Sequence, residues 1–193
     1  METENFTPEK SLALIEQIIN EAKCKFEENG FIYVFWGALT AVAAIGQYIL
    51  LNTEYNDISY YPYFLMPLGA VFNVFYFSKK KRKSANLISK IISYAWIIIS
   101  INTMALGFFF APILQVNLIP ILLILLSIGI VISGATIKNN VLLFSGIILN
   151  ISAFVCFYLD WIYQPLLMGI ASIIAIFIPG LILMQKHKKT TNV

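Results

Sequence analysis

Lys79-Lys80-Lys81-Arg82-Lys83 interrupts an otherwise apolar sequence and sets the reading of everything on either side of it. Short loops rich in Lys and Arg stay on the cytoplasmic side of a membrane, and the bias counts basic residues rather than net charge. All 13 basic residues fall on one side of a six-span arrangement. Lys10, Lys23 and Lys25 precede the first span. The run 79–83 and Lys90 follow the second, Lys138 the fourth, and Lys186, Lys188 and Lys189 the sixth. The opposite loops hold only the acidic Glu54, Asp57 and Asp160. Both termini and the basic loop are therefore expected in the cytoplasm.

Composition agrees with lipid as the main solvent. The chain is 59% hydrophobic and 12% charged, with a mean hydropathy of +0.80. Soluble domains carry about 25% charged residues. A surface facing water cannot be built from this composition. The net charge of +3 is juxtamembrane, so it reads as a topology signal, with Lys79, Lys80, Lys81, Arg82 and Lys83 as candidate contacts for anionic lipid. It does not point to nucleic acid.

The expected fold class is an all-α membrane protein of six transmembrane helices in three hairpins, preceded by a cytosolic amphipathic helix. The spans fall at 31–51, 61–78, 87–111, 118–137, 141–159 and 165–184, with a cytosolic arm at 1–30 and a polar cytosolic tail at 185–193. The first span gives about 31 Å of helix against a hydrocarbon core of about 30 Å. Tyr33 and Trp36 sit at its inner end and Tyr48 at its outer end, as interfacial aromatics do. Pro62 suits the first turn of span 2, while Pro67 is expected to kink that helix; Pro179-Gly180 is expected to kink span 6. Spans 3 and 4, separated by a few residues, should form a tight antiparallel hairpin. Pro62, Pro120 and Pro165 each stand near the outer start of an even span, a weak tandem repeat with irregular spacing. No secretory signal peptide is read, because residues 1–30 are acidic and the first long apolar run begins at Phe31.

The arm reads as a helix over 7–29, with Thr7 as N-cap, Pro8 in the first turn and Gly30 as stop or hinge. Leu12, Ile15, Ile19, Ala22 and Phe26 recur at helical spacing and form one apolar stripe, a candidate partner-binding face. Surface-seeking helices carry Lys and Arg on the polar face. This one carries five Glu against three Lys. The stripe is therefore expected against protein: a cytosolic partner, a second copy, or the bundle's own cytosolic end.

The motifs of chemistry are missing. The middle of each span lacks ionisable residues, the usual mark of proton relays. Cys24 and Cys156 fall near opposite faces of the bilayer, and the single His187 lies in the tail. The expectation is no enzyme, no metal and no cofactor. The polar residues within the spans are amides. Asn73, Asn102 and Asn150, with Gln47 nearer an end, are candidate intramembrane polar contacts and should face the interior, because hydrocarbon offers no partner. Gly129, Ser133 and Gly134 offer a close helix approach in span 4.

Residues 11–19, Ser-Leu-Ala-Leu-Ile-Glu-Gln-Ile-Ile, and 28–37, Glu-Asn-Gly-Phe-Ile-Tyr-Val-Phe-Trp-Gly, resemble the start of a group of small bacterial multi-span inner-membrane proteins. The resemblance covers roughly residues 8–51. It implies a bacterial inner-membrane setting and carries over no activity and no functional residues. Two functions follow as expectations. The first is a non-enzymatic inner-membrane protein whose arm and basic loop bind a partner, in a regulatory or scaffolding role. The alternative is a small transporter or channel passing a neutral solute by Asn102 and Asn150.

The charge split makes one firm prediction. In intact cells a cysteine placed at Asn56 is labelled by a membrane-impermeant thiol reagent, whereas one at Ser84 reacts only after permeabilisation. The reverse pattern would invert the topology.

Overall fold

The fold is taken from a computed structural model, which describes residues 12–21, 30–79 and 87–191. Among these residues every regular element is helical. Residues 12–21 form a helix. Then follow α1 (Gly30–Leu51), α2 (Leu65–Lys79), α3 (Leu87–Phe108), α4 (Leu118–Thr136) and α5 (Asn140–Cys156). The last rod, α6, is made of Gln164–Ser172, Ile173–Phe177 and Ile178–Thr191 in direct succession. Four stretches are long and apolar enough to cross a membrane: Gly30–Leu51, Lys90–Phe108, Ala111–Thr136 and Gln164–Lys186. Asn140–Cys156 is apolar but shorter.

Glycine decides which helices meet. A Cβ on Gly37 would lie 2.6 Å from the backbone nitrogen of Phe177. One on Gly180 would lie 2.6 Å from that of Val34, and one on Gly30 2.9 Å from that of Met184. Further along, Gly169 faces Ile45. Residues 30, 37 and 45 thus meet 184, 177 and 169, so α1 and α6 run antiparallel with their backbones in contact. The start of α1 lies against the last turns of α6. Ala41, Ala44 and Ala171 continue this buried seam.

A second seam joins α4 and α5. Gly134 approaches the Leu143 nitrogen, and Gly146 approaches the Val131 nitrogen and the Ser127 carbonyl. Here the connection is minimal. Lys138, at φ 51°, takes the left-handed conformation past the end of α4. The Asn139 N–H donates to the Gly134 carbonyl at 2.8 Å, and that of Lys138 donates to Ala135 at 3.3 Å, which closes the helix end. Asn139 then caps α5 by accepting from Val141 and Leu142 through its side chain.

The two remaining helices sit outside this core. In α3, Ile92, Trp96 and Ile99 face α4, with the Ile99 side chain seated on Gly129. In α2, the Phe72 ring meets that of Phe35 at 4.9 Å with a tilt of 33°, and Gly69 admits the Leu39 side chain from α1. The outer faces of both carry rows of exposed Ile, Val, Phe and Leu.

Several sequence expectations are corrected. The closest backbone approaches are α1 with α6 and α4 with α5; α3 packs on α4 through side chains, with Trp96 on Ser133 and Ile99 on Gly129. Between α3 and α4 the chain makes a helical turn at Ala111–Leu114 and a second at Gln115–Asn117, which includes a positive φ at Gln115. Pro67 does not kink α2. That helix begins at Leu65, after a separate turn at Tyr61–Phe64, so Pro67 stands in its first turn, where the missing N–H has no helical acceptor to lose. Pro179 acts through a π-helical segment, Ile173–Phe177, immediately before it. A proline ring collides with the carbonyl four residues back, here that of Ala175, and the wider turn accommodates it. The residues that would decide whether Gly30 is a stop or hinge, 22–29, lie outside the described residues; Gly30 itself stands in α1, placed for contact with α6. The helix of α6 also continues through the polar tail to Thr191.

These seams predict an asymmetry among glycines. Gly37→Ala should cost about 1–3 kcal/mol, because its methyl meets backbone that cannot rotate away. Gly107→Ala, where a Cβ meets nothing within 4 Å, should be neutral or stabilising by up to about 1 kcal/mol. Thermal unfolding in detergent measures both; equal losses at the two sites would refute the close approach.

Candidate functional site

Hydrocarbon offers no hydrogen bonds, so each polar atom inside a span must find its partner within the protein. Three polar contacts tie the helices together. On α4, Ser133 donates its hydroxyl hydrogen to the Gly129 carbonyl at 2.8 Å. This leaves its lone pairs facing outward, and the Trp96 indole N–H of α3 fills one of them at 3.0 Å. Tyr33 of α1 meets the Trp96 ring edge-on at 6.3 Å and lies beside Ser133. One serine therefore gathers α1, α3 and α4 at the end where α1 begins and α4 finishes.

The same chemistry recurs deeper in the bundle. Ser127 donates to the Ile124 carbonyl at 2.7 Å, and its oxygen accepts from Asn150 Nδ2 of α5 at 3.0 Å. At the far end, the buried Gln164 donates to the carbonyls of Cys156 and Leu159, which fixes the turn between α5 and α6. Ser127 and Gln164 are structural partners that the sequence reading did not single out, and Ser133, read there only as a small packing residue, is one as well. The signal was present in their spacing: Ser127 precedes Ser133 by six residues in a span otherwise of aliphatics and glycine.

The sequence candidates are distributed as follows. Asn150 does face the interior, on Ser127. Asn73 is half-buried on α2. Asn102 corrects the expectation: it is exposed on the outside of α3, and its Nδ2 donates to the Ile98 carbonyl of its own helix at 2.9 Å. α3 meets α4 through its Ile92–Trp96–Ile99 side, and Asn102, turned about 60° round the helix from Ile99, falls beyond the edge of that side. Asn102 and Asn150 thus do not share the one path that the solute-conducting alternative required.

Gly129 and Ser133 do permit close packing, against α3, while Gly134 serves α5. On the arm, Leu12 and Ile15 are exposed and Ile19 half-buried. Ala22, Phe26, Lys80, Lys81, Arg82 and Lys83 lie outside the described residues, and Lys79 is described in its backbone alone, as the last residue of α2. Cys156 is a buried free thiol. Among the described residues no group of His, Cys, Asp or Glu is arranged to hold a metal ion. Buried Ser172 Oγ beside the π-helical segment, Gln47 Oε1 and Thr103 Oγ1 find no hydrogen-bond partner among the described residues.

No protein-family model matches the chain, and neither a curated protein nor a solved structure does. The resemblance over residues 8–51 therefore stays an expectation of the sequence.

The Asn150–Ser127 contact is open to a double-mutant cycle. Intramembrane pairs of this kind average about 0.6 kcal/mol, with a ceiling near 1.7. Asn150→Leu and Ser127→Ala should be coupled within that range, measured by unfolding in mixed micelles. Strict additivity would mean that the two side chains act independently.

Proposed function

We propose that the chain is a non-enzymatic integral protein of the bacterial inner membrane, crossing it six times, whose cytosolic arm docks on a protein partner in a regulatory or scaffolding role. Support for an even number of crossings comes from the seam between α1 and α6. Gly30 lies against Met184, so the two ends of the helical bundle share one face of the membrane. The basic residues that flank those ends put that face in the cytoplasm. Two helices are shorter than a full span in their described residues: α2, with 15 residues, and α5, with 17. They reach across with their flanking turns at 61–64 and 157–159, and mismatch of this size costs fractions of a kcal/mol per ångström.

The observation that carries the docking reading is the helix at residues 12–21. Its Leu12 and Ile15 are 63% and 53% exposed, and Leu14 is exposed beside them. An apolar row of this kind, left uncovered by the bundle, favours a separate partner over a cap on the chain's own cytosolic end. Its acidic neighbours Glu16 and Glu21, the latter accepting from Gln17 at 3.1 Å, are repelled by anionic headgroups. A protein surface therefore suits it better than lipid.

The test is crosslinking and affinity capture from native membranes with the full chain, the chain lacking residues 1–29, and an Ile15→Asp, Ile19→Asp variant. Both altered chains should insert normally and lose the partner. Each large side chain that is buried at such a contact contributes about 1.5–3 kcal/mol. Partner binding that survives the double change, or an isolated arm peptide that binds anionic liposomes, would overturn the docking reading.

A further inference from the structure

The outer face of α3 carries a seam of its own. Ile91, Ala95, Ile98, Asn102 and Ala105 follow one another at spacings of four, three, four and three residues. That is the heptad alternation that lets two helices cross at a small angle with interlocking side chains. The row's larger members are uncovered in the single chain: Ile91 is 52% and Ile98 60% exposed, and Asn102 is exposed one turn further on, while the small Ala95 and Ala105 are half-buried. It is distinct from the Ile92–Trp96–Ile99 side that meets α4.

Asn102 identifies the occupant. A carboxamide has two N–H donors and a carbonyl with two lone pairs. Its one contact within the chain, from Nδ2 to the Ile98 carbonyl, uses a single donor. The other donor and the carbonyl find no partner among the described residues, on an exposed side chain within a stretch long and apolar enough to cross a membrane. Aliphatic lipid chains satisfy neither. The surface that does must offer a donor and an acceptor together, at the same depth, within an otherwise apolar face. A second copy, related by a twofold axis along the membrane normal, presents the same amide at the same height. In that arrangement each Asn102 carbonyl accepts from the other's free N–H. A lone asparagine at such a heptad position also fixes register and favours pairs over larger assemblies. The small Ala95 and Ala105 on either side let the backbones close to the distance the amides need.

We propose that the chain is a homodimer in the membrane, paired in parallel through α3 with Asn102 against Asn102 at its centre. This depends on α3 spanning the bilayer, but not on what the cytosolic arm binds.

The experiment uses the full chain, with Cys24→Ser and Cys156→Ala, in native membranes. Single cysteines are placed along α3 and oxidised. Ile91→Cys, Ala95→Cys, Ile98→Cys and Ala105→Cys should form disulfide-linked dimers, whereas Ile97→Cys and Ser100→Cys, on other sides of the helix, should not. Dimer affinity measured by energy transfer in liposomes should fall about 3- to 15-fold in Asn102→Leu and be largely kept in Asn102→Gln. The Leu variant replaces an exposed side chain, and the cysteine scan retains Asn102, so misfolding of one variant does not decide the outcome. Crosslinking without the seam's periodicity, a purified chain that stays monomeric, or a dimer indifferent to Asn102→Leu would each overturn the proposal. So would a dimer lost on removal of residues 1–29, since the arm would then hold it.

Discussion

Backbone contact across glycine is the constraint on which this architecture depends. In lipid, helices gain nothing by hiding apolar surface from one another, so association relies on close packing and on polar pairs. Gly30, Gly37 and Gly180 bring α1 and α6 together over most of their length. Gly134 and Gly146 do the same for α4 and α5. The polar contacts fall where these seams leave room for them: Asn150 on Ser127 within the second seam, and Trp96 on Ser133 where α3 joins. Helices without such glycine partners, α2 and α3, are left at the edge.

Much of this was legible in the sequence, because lipid imposes simple rules. The apolar runs marked stretches that are helical among the described residues, four of them long and apolar enough to cross a membrane. Pro62 and Pro165 were read as belonging to helix starts, and they do. Asn150 was read as interior because hydrocarbon has no partner for it. Errors arose where the answer depended on a distant segment. A glycine announces that something comes close but not what. The partners of Gly30 and Gly37 lie at the other end of the chain, so pairing by adjacency, which rightly set span 3 beside span 4, missed the contact of α1 with α6. Asn102 failed for a related reason: the periodicity of α3 is apolar all round, and only the position of α4 reveals which side is covered.

The residues also show how local chemistry resolves conflicts set by the sequence. Pro179 cannot continue a regular helix, yet α6 must remain straight enough to follow α1. The π-helical turn at Ile173–Phe177 satisfies both demands. It brings the Phe177 backbone against Gly37, the one residue type on α1 that leaves space for it.

The antiparallel seam between α1 and α6 has a consequence for how the protein is made. Ribosomes deliver α1 first and α6 last, so the earliest helix waits in the bilayer for its main neighbour until nearly the whole chain has been synthesised. The α4–α5 pair, joined by a three-residue turn, needs no such wait. Assembly therefore proceeds from the middle outward, and the contact between the ends closes the structure. A nascent chain that stops before Gln164 leaves the glycine face of α1 unfilled.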